Sequence, residues 1–388
     1  MSGDGEVYEK KLLDRLADAL VDGLASLIDL FLSGWKERNR ARLDELKLTL
    51  YALNRSPIGL LGVVLVLAFI IVAILGPTLA PLGYNDQLIY CVTDFDEVRL
   101  APPGTVVVVE EDAICTQLGV EPGTYKLWLG ADEYGRDLLS RILYGARTSF
   151  IVVLLVMIVG PWIGILLGLF AGYRGGFVDE VIMRIVDVFL AFPGLILAIA
   201  LSAVLPSRLD PIIINNEFLL NSLLRLFALN PDDALPMVRL VVVVIALWIV
   251  WWPVYARLVR GMVLSARENT YVEAARALGI PTHSILIGHI LPNILGPVLV
   301  YLTLDFGAVI LVEAGLSFLG LGAVPPIADW GRIIYDGAQY FPNAWWLVFF
   351  PGLAILLTVL GFNLLGDALR DIMDPRTRRR IEFKVKGR

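Results

Sequence analysis

Residues 149–172 read SFIVVLLVMIVGPWIGILLGLFAG, without a single Asp, Glu, Lys or Arg. A bilayer core about 30 Å thick is crossed by roughly 20 apolar residues rising 1.5 Å each. The stretch therefore predicts a membrane-spanning helix. Five more stretches meet the same test, about 57–80, 182–206, 237–256, 294–314 and 345–366. Their Pro and Gly residues are compatible with helix, because neighbouring helices can satisfy the freed backbone groups. The composition agrees: 57% of the 388 residues are hydrophobic and 18% charged, against about a quarter charged in soluble domains. The expectation is an all-α membrane protein with six transmembrane helices. Inside the quoted stretch, Gly160, Gly164, Gly168 and Gly172 recur every fourth residue and share one helix face. Glycine there lets another backbone approach closely, so these four are read as a helix-packing seam.

Lysine and arginine set the orientation. Lys10, Lys11, Arg15, Lys36, Arg38, Arg40, Arg42, Lys47 and Arg55 precede the first span. Arg257, Arg260, Arg267 and Arg276 lie between the fourth and fifth. Arg370, Arg376, Arg378, Arg379, Arg380, Lys384, Lys386 and Arg388 follow the sixth. With six spans these regions share one side, which the positive-inside rule makes the cytoplasm, with both termini there. The connection 77–148 falls outside although it holds Arg136, Arg141 and Arg147; acidic residues and long loops weigh little in the rule. The net charge of −6 offers nothing to nucleic acid. No short apolar leader with a small-residue cleavage site is seen, so no cleaved signal peptide is expected.

In residues 7–34, Leu12, Leu13, Leu16, Leu20, Leu24, Leu27, Ile28 and Phe31 recur at helical spacing. Asp14, Asp18, Asp22 and Asp29 exclude a span, since a central Asp costs roughly 2.5–3.5 kcal/mol on insertion. The preferred reading is an amphipathic helix on the inner membrane surface or on a partner. The alternative is a helix hairpin with residues 36–54.

Phosphate-loop, H-E-x-x-H and G-x-S-x-G motifs are missing. His283 and His289, six residues apart, make a poor metal pair. No catalytic residue, cofactor site or metal site is expected, and any ATP must be hydrolysed by another subunit. Cys91 and Cys115 both fall in the outer connection, where disulfides persist. Val106–Val109 reads as a strand after the turn-like Pro102-Pro103-Gly104, with a further turn at Pro122-Gly123. A β-rich insertion this small benefits from a covalent staple, so Cys91 and Cys115 are expected to pair.

Between spans four and five runs Ser265-Ala-Arg-Glu-Asn-Thr-Tyr-Val-Glu273-Ala274-Ala275-Arg276-Ala277-Leu278-Gly279, then Ile280-Pro281-Thr282 and on to His289-Ile290-Leu291-Pro292-Asn293. Glu273 to Leu278 favour helix, Gly279 suits its end and Pro281 the start of another. Pro292 limits the second helix before span five. Thirty-odd ordered residues are far more than a reconnection needs, which suggests a docking surface.

Glu273-Ala274-Ala275, with Gly279 four residues after Ala275, resembles the EAA motif of binding-protein-dependent ABC transporter permeases. The resemblance narrows to dipeptide/oligopeptide permeases of the C-subunit type through Leu129-Gly130-Ala131-Asp132-Glu133-Tyr134-Gly135-Arg136-Asp137, Tyr144-Gly145-Ala146-Arg147-Thr148-Ser149, Met183-Arg184-Ile185-Val186-Asp187, Ala191-Phe192-Pro193, Tyr255-Ala256-Arg257, Leu316-Ser317-Phe318-Leu319-Gly320-Leu321-Gly322, Trp330-Gly331 and Asn363-Leu364-Leu365-Gly366-Asp367. It covers about residues 129–377. It implies a type I importer permease fold without an ATPase site. The implied partners are a homologous B-type permease, two ATP-binding subunits carrying ATP and Mg, an extracellular substrate-binding protein and the lipid bilayer of the cell membrane. Glu273, Ala274, Ala275, Arg276, Leu278 and Gly279 would form the ATPase-docking segment. The organisation expected is 1–56 amphipathic helices, 57–80 first span, 81–128 extracellular insertion, 129–366 permease core with docking segment 257–292, and 367–388 basic tail. The first 50 residues and the segment 84–128 exceed the family's usual lengths.

Ionisable residues inside spans are functional candidates. Asp305 and Glu313 are the substrate-pathway candidates, each with the alternative of bonding a neighbouring helix. Arg184 and Asp187, three apart, are expected to pair. The cargo expected is a di- or oligopeptide, with oligosaccharides or nickel complexes as alternatives. A stand-alone secondary transporter or channel is the rival of a different class, but it has no use for a protruding docking segment. A membrane-embedded enzyme is disfavoured by the lack of a nucleophile–base or metal set.

Overall fold

The computed structural model describes residues 12–31, 34–110, 115, 120–227 and 229–373. The basic tail beyond Met373 and the first eleven residues lie outside the described residues. The chain divides into two units: residues up to Val66 with Leu295–Leu304 and those from Leu360 onward, and Leu67–Ile294 with Asp305–Val359.

In the first unit the acids that forbid an N-terminal span have a different task. Helix α1 (Leu12–Phe31) is followed by the single turn α2 (Trp35–Arg38) and by α3 (Arg40–Leu53). Asp14, Asp18 and Asp22 lie four apart on one face of α1. Asn54 Nδ2 donates to Asp14 (3.1 Å), Tyr51 to Asp18, and Lys47 Nζ to Asp22 (2.8 Å). The partner numbers fall as the acid numbers rise, so α1 and α3 run antiparallel. The two helices thus form a hairpin. Leu24, Leu27, Leu30 and Phe31 nevertheless stay exposed on it. At its other end, Ala52 and Leu53 pack on Ala368 and Ile372. The opening of α4 (Pro57–Leu79) runs along the end of the last helix, α15 (Trp346–Met373). A Cβ on Gly62 would lie 2.6 Å from the Leu365 nitrogen, and one on Gly361 2.7 Å from Leu65 Cβ.

The second unit holds α5 (Leu138–Arg174), α6 (Gly176–Leu190), α7 (Gly194–Val204), α8 (Pro206–Ile214), α9 (Glu217–Phe227) and α10 (Ala234–Ala266). Beyond these come α11 (Thr270–Ala277), α12 (Thr282–Ile285), α13 (Leu291–Phe318) and α14 (Trp330–Ala338). Helices α4, α5, α10, α13 and α15 are each long and apolar enough to cross a membrane. The span expected over 182–206 is built as the pair α6–α7, bent by 82°. Pro193 explains the break: its ring disfavours helix at the residue before it, and it has no N–H to continue the ladder. Helix α5 runs 37 residues, starting 11 before the uncharged stretch that predicted it. At 1.5 Å per residue it exceeds the hydrocarbon thickness.

Helices α5 and α10 meet backbone to backbone. A Cβ added to Gly164 would stand 2.2 Å from the Trp252 carbonyl oxygen, and one on Gly168 2.5 Å from that of Ala256. On Gly172 it would lie 2.9 Å from the Arg260 oxygen, whereas on Gly160 the nearest atom is at 3.5 Å, an ordinary contact. Partner numbers rise together along this seam, so the two helices run parallel. Parallel spans require the chain between them to recross the membrane, which assigns the bent α6–α7 pair as a span.

The insertion between α4 and α5 is small and β-rich. Strands β1 (Thr105–Val109) and β2 (Gly123–Leu127) pair antiparallel, Val107 opposite Tyr125. Gly123, expected in a turn, opens β2. Alternation sends Val107 and Val109 inward and leaves Val106 and Val108 exposed. The inward valines join Leu88, Val98, Val120 and Leu127 around Cys91 and Cys115, which are bonded with their Cα atoms 5.3 Å apart. Asp132 then gathers the arginines that sat oddly in this loop. Its carboxylate accepts Arg136 Nε at 2.7 Å and lies 3.6 Å from Arg141 Nε, with both arginines 2% exposed or less. They are bonded interior groups, which is why a count of free surface charge misjudges this loop. Asp137 caps α5, accepting the Ser140 N–H at 2.8 Å. Burial raises the Asp137 carboxyl above its ordinary range, with Ser140 opposing the shift.

Two outcomes are expected. Gly160→Ala should change thermal stability by less than about 0.5 kcal/mol, while Gly164→Ala, facing a carbonyl, should cost about 2 kcal/mol or more. Equal melting temperatures for the two purified variants would refute the seam. Thiol labelling of oxidatively prepared protein should find no free thiol before reduction and two after it. Two labelled thiols before reduction would remove the disulfide.

Candidate docking site

Helix α10 leaves its span at Ala266, and the next 24 residues form a turn fastened to the end of α5. Arg267 Nη1 donates to the Gly172 carbonyl at 3.0 Å. Arg276 Nε reaches the Tyr173 hydroxyl at 3.2 Å, its guanidinium 4.9 Å from that ring's centroid. Deeper along α10, Arg260 clamps Asp179 of α6 through two bonds of 2.5 and 2.6 Å. Asp187 is bonded to Arg257, not to Arg184. The expected i,i+3 pair gives way because α10 presents a guanidinium across the helix interface.

Helix α11 is amphipathic over two turns. Val272 and Ala275 are buried, while Glu273, Ala274, Arg276 and Leu278 are exposed, Leu278 by 80%. The Ile280 N–H bonds the Ala275 carbonyl at 3.1 Å and the Gly279 N–H that of Arg276 at 3.0 Å. Those two bonds define a Schellman motif with Gly279 as its left-handed residue, and φ there is 71°. Space around Gly279 is open, so glycine is demanded by backbone conformation rather than by a neighbour. The small Ala274 and the protruding Leu278 thus sit beside a rigid turn, held from below by two buried side chains.

The second half departs from expectation. Pro292 was expected to separate a short helix from span five, yet α12 passes into α13 through a π-helical turn, Leu286–Ile290. The wider turn takes up the ring that Pro292 would otherwise press on the carbonyl four residues back. Ile285 and Ile290 are buried, while Ile287, His283 and His289 are exposed. The backbone is thus helical without interruption from Thr282 through the π-turn into α13.

Asp305, within α13, accepts the Tyr255 hydroxyl at 2.8 Å and the Trp251 indole N–H at 3.2 Å. Both donors come from α10. Glu313, eight residues on, is 1% exposed and accepts from Ser149 of α5 at 3.3 Å. Tyr255 and Trp251 escaped the sequence reading; four-residue spacing of two aromatic donors on a span was the available signal. The arrangement offers hydrogen-bonded ties between spans and an exposed turn.

Comparison with known proteins adds an independent line. Residues 46–103 match the N-terminal TM domain of oligopeptide transport permease C. The dipeptide transport system permease protein of Alkalihalophilus pseudofirmus is 36% identical over 84% of this chain and 88% of its own. A probable D,D-dipeptide transport system permease protein of Escherichia coli is 42% identical over 64% of this chain and 73% of its own. The oligopeptide transport system permease protein of Bacillus subtilis is 37% identical over 67% and 75% respectively. Residues 164–379, which carry most of the α5–α10 seam, the exposed turn and α13, match the binding-protein-dependent transport system inner membrane component, and the chain belongs to that family.

Proposed function

We propose that this chain is a transmembrane subunit of an ATP-driven importer for di- and oligopeptides. It lines the translocation pathway together with a homologous B-type permease. Two ATP-binding subunits, holding ATP and Mg, dock on residues 265–291 from the cytoplasm, where both termini lie. A substrate-binding protein delivers the peptide from outside. The observation that carries this reading is the turn itself, a rigid helix–Gly–helix with Leu278 exposed, continuous with a membrane span. Closure of a partner around Leu278, Glu273 and Ala274 would shift α12 and α13 as one lever and re-pack the spans. The names of the relatives favour peptides over oligosaccharides or nickel complexes. A stand-alone transporter leaves the exposed turn without a use. In this reading Asp305 and Glu313 serve as ties between spans instead of substrate ligands.

The test couples assembly to transport. Leu278→Asp and Glu273→Lys should each weaken copurification of the ATPase and lower peptide uptake more than tenfold, as loss of about 2 kcal/mol at a docking anchor does. Membrane insertion should be unchanged. Gly279→Val should impair uptake through backbone strain of about 1–2 kcal/mol, whereas Gly279→Asn, which tolerates the left-handed region, should largely retain it. Wild-type uptake in both anchor variants would refute the docking assignment. Uptake without any ATPase subunit would favour the stand-alone transporter.

A further inference from the structure

The N-terminal hairpin is turned inside out. Asp18, Val21, Asp22 and Ala25 share one face of α1, and that face meets α3. Val21 is 5% exposed and Ala25 1%, and the acids beside them are bonded to Asn54, Tyr51 and Lys47. Leu24, Leu27, Ile28 and Phe31, spaced i, i+3, i+4, i+7, form the other face. Leu24 is 60% exposed there, Leu27 57% and Phe31 88%. A helix pair in water buries its apolar stripe and leaves its charges outside. This one bonds its carboxylates within the pair and presents its large apolar side chains outward.

What lies beside that face follows from where the hairpin is tied. Only Asn54, Arg55 and Ser56 separate α3 from α4, a helix apolar and long enough to cross a membrane. Three extended residues reach about 10 Å. Ala52 and Leu53 pack on Ala368 and Ile372, in the last turns of α15 and just past residue 366, where its apolar stretch ends. Alpha-helix α3 therefore meets α4 and α15 at the depth of the lipid headgroups. Ile58 and Leu61, exposed on the first turns of α4, mark the same lipid boundary. An uncharged apolar helix face at that depth fits the border between headgroups and acyl chains, where amphipathic helices lie.

We propose that α1 is a membrane foot. It rests on the bilayer with Leu24, Leu27, Ile28 and Phe31 among the lipid chains, and α3 covers its acidic face. The contact face carries no charge, so it recognises the apolar border of the bilayer and selects no headgroup. Helices α1 and α2 precede residue 46, where the match to the permease family begins. The foot therefore belongs to this chain's own extension, and it braces the junction of α4 with α15 through Ala52 and Leu53.

The test measures depth in the full-length protein. Nitroxide labels are placed on Leu24→Cys, Leu27→Cys or Phe31→Cys without reduction, so that Cys91 and Cys115 stay paired. Power saturation is then read in phosphatidylcholine nanodiscs, with a label on Asp44→Cys, an exposed position of α3, as the water reference. At all three α1 positions, collision with oxygen, which dissolves in lipid, should exceed collision with a water-soluble nickel chelate several-fold relative to that reference. Chelate access equal to that at the reference means a bare face and overturns the proposal. Exclusion of both reagents means cover by protein, whether another segment, a second copy or a partner subunit, and overturns it too. In Leu27→Glu/Phe31→Glu protein, a label at Leu24→Cys should gain chelate access several-fold while α4 stays inserted; an unchanged ratio contradicts the foot. No readout depends on the cargo or on ATPase docking.

Discussion

The close approach of α5 and α10 governs much of the second unit. In lipid, helices gain nothing by hiding apolar surface from one another, so association rests on packing and polar ties. Gly164 and Gly168 admit the Trp252 and Ala256 carbonyls into the space a side chain would occupy. Because that seam runs parallel, the chain between the two helices must return across the membrane. The return is made by α6 and α7, kinked at Pro193. The same seam sets Tyr255 and Trp251 at the height of Asp305, and it brings Arg267 to the last turn of α5.

Arginines serve the two ends of these helices differently from what a charge count implies. At the insertion end, Arg136 and Arg141 are interior groups gathered on Asp132, and Arg141 Nη1 also donates to the Tyr84 carbonyl. Leaving such cations buried without a partner would cost several kcal/mol, so the acid and the bases belong together. At the docking end, Arg257 and Arg260 join α10 to α6 through Asp187 and Asp179. These pairs hold α6 in place beside α10.

The turn gains its rigidity from elements on both sides. Val272 and Ala275 anchor α11 from beneath, and the π-helical segment carries α12 into α13 around Pro292. That helix also holds Asp305 and Glu313, the residues that tie it to α10 and α5.

Local chemistry made much of this protein legible. Six apolar stretches, the four-residue glycine repeat, the Val106–Val109 strand and the Glu273–Gly279 turn are written in consecutive residues. Periodicity and backbone preference act over a few residues, and so do the demands of lipid on a single segment. Partner choice is another matter. Asp187 could meet Arg184 or an arginine 70 residues away, and its own neighbourhood does not say which. The N-terminal acids excluded a span but did not reveal that Lys47, Tyr51 and Asn54 would meet them. The tie of Glu313 to Ser149 of α5 was likewise decided by tertiary structure. Each depends on which helix packs alongside, a long-range outcome in which small residues permit the approach and buried polar groups select the partner.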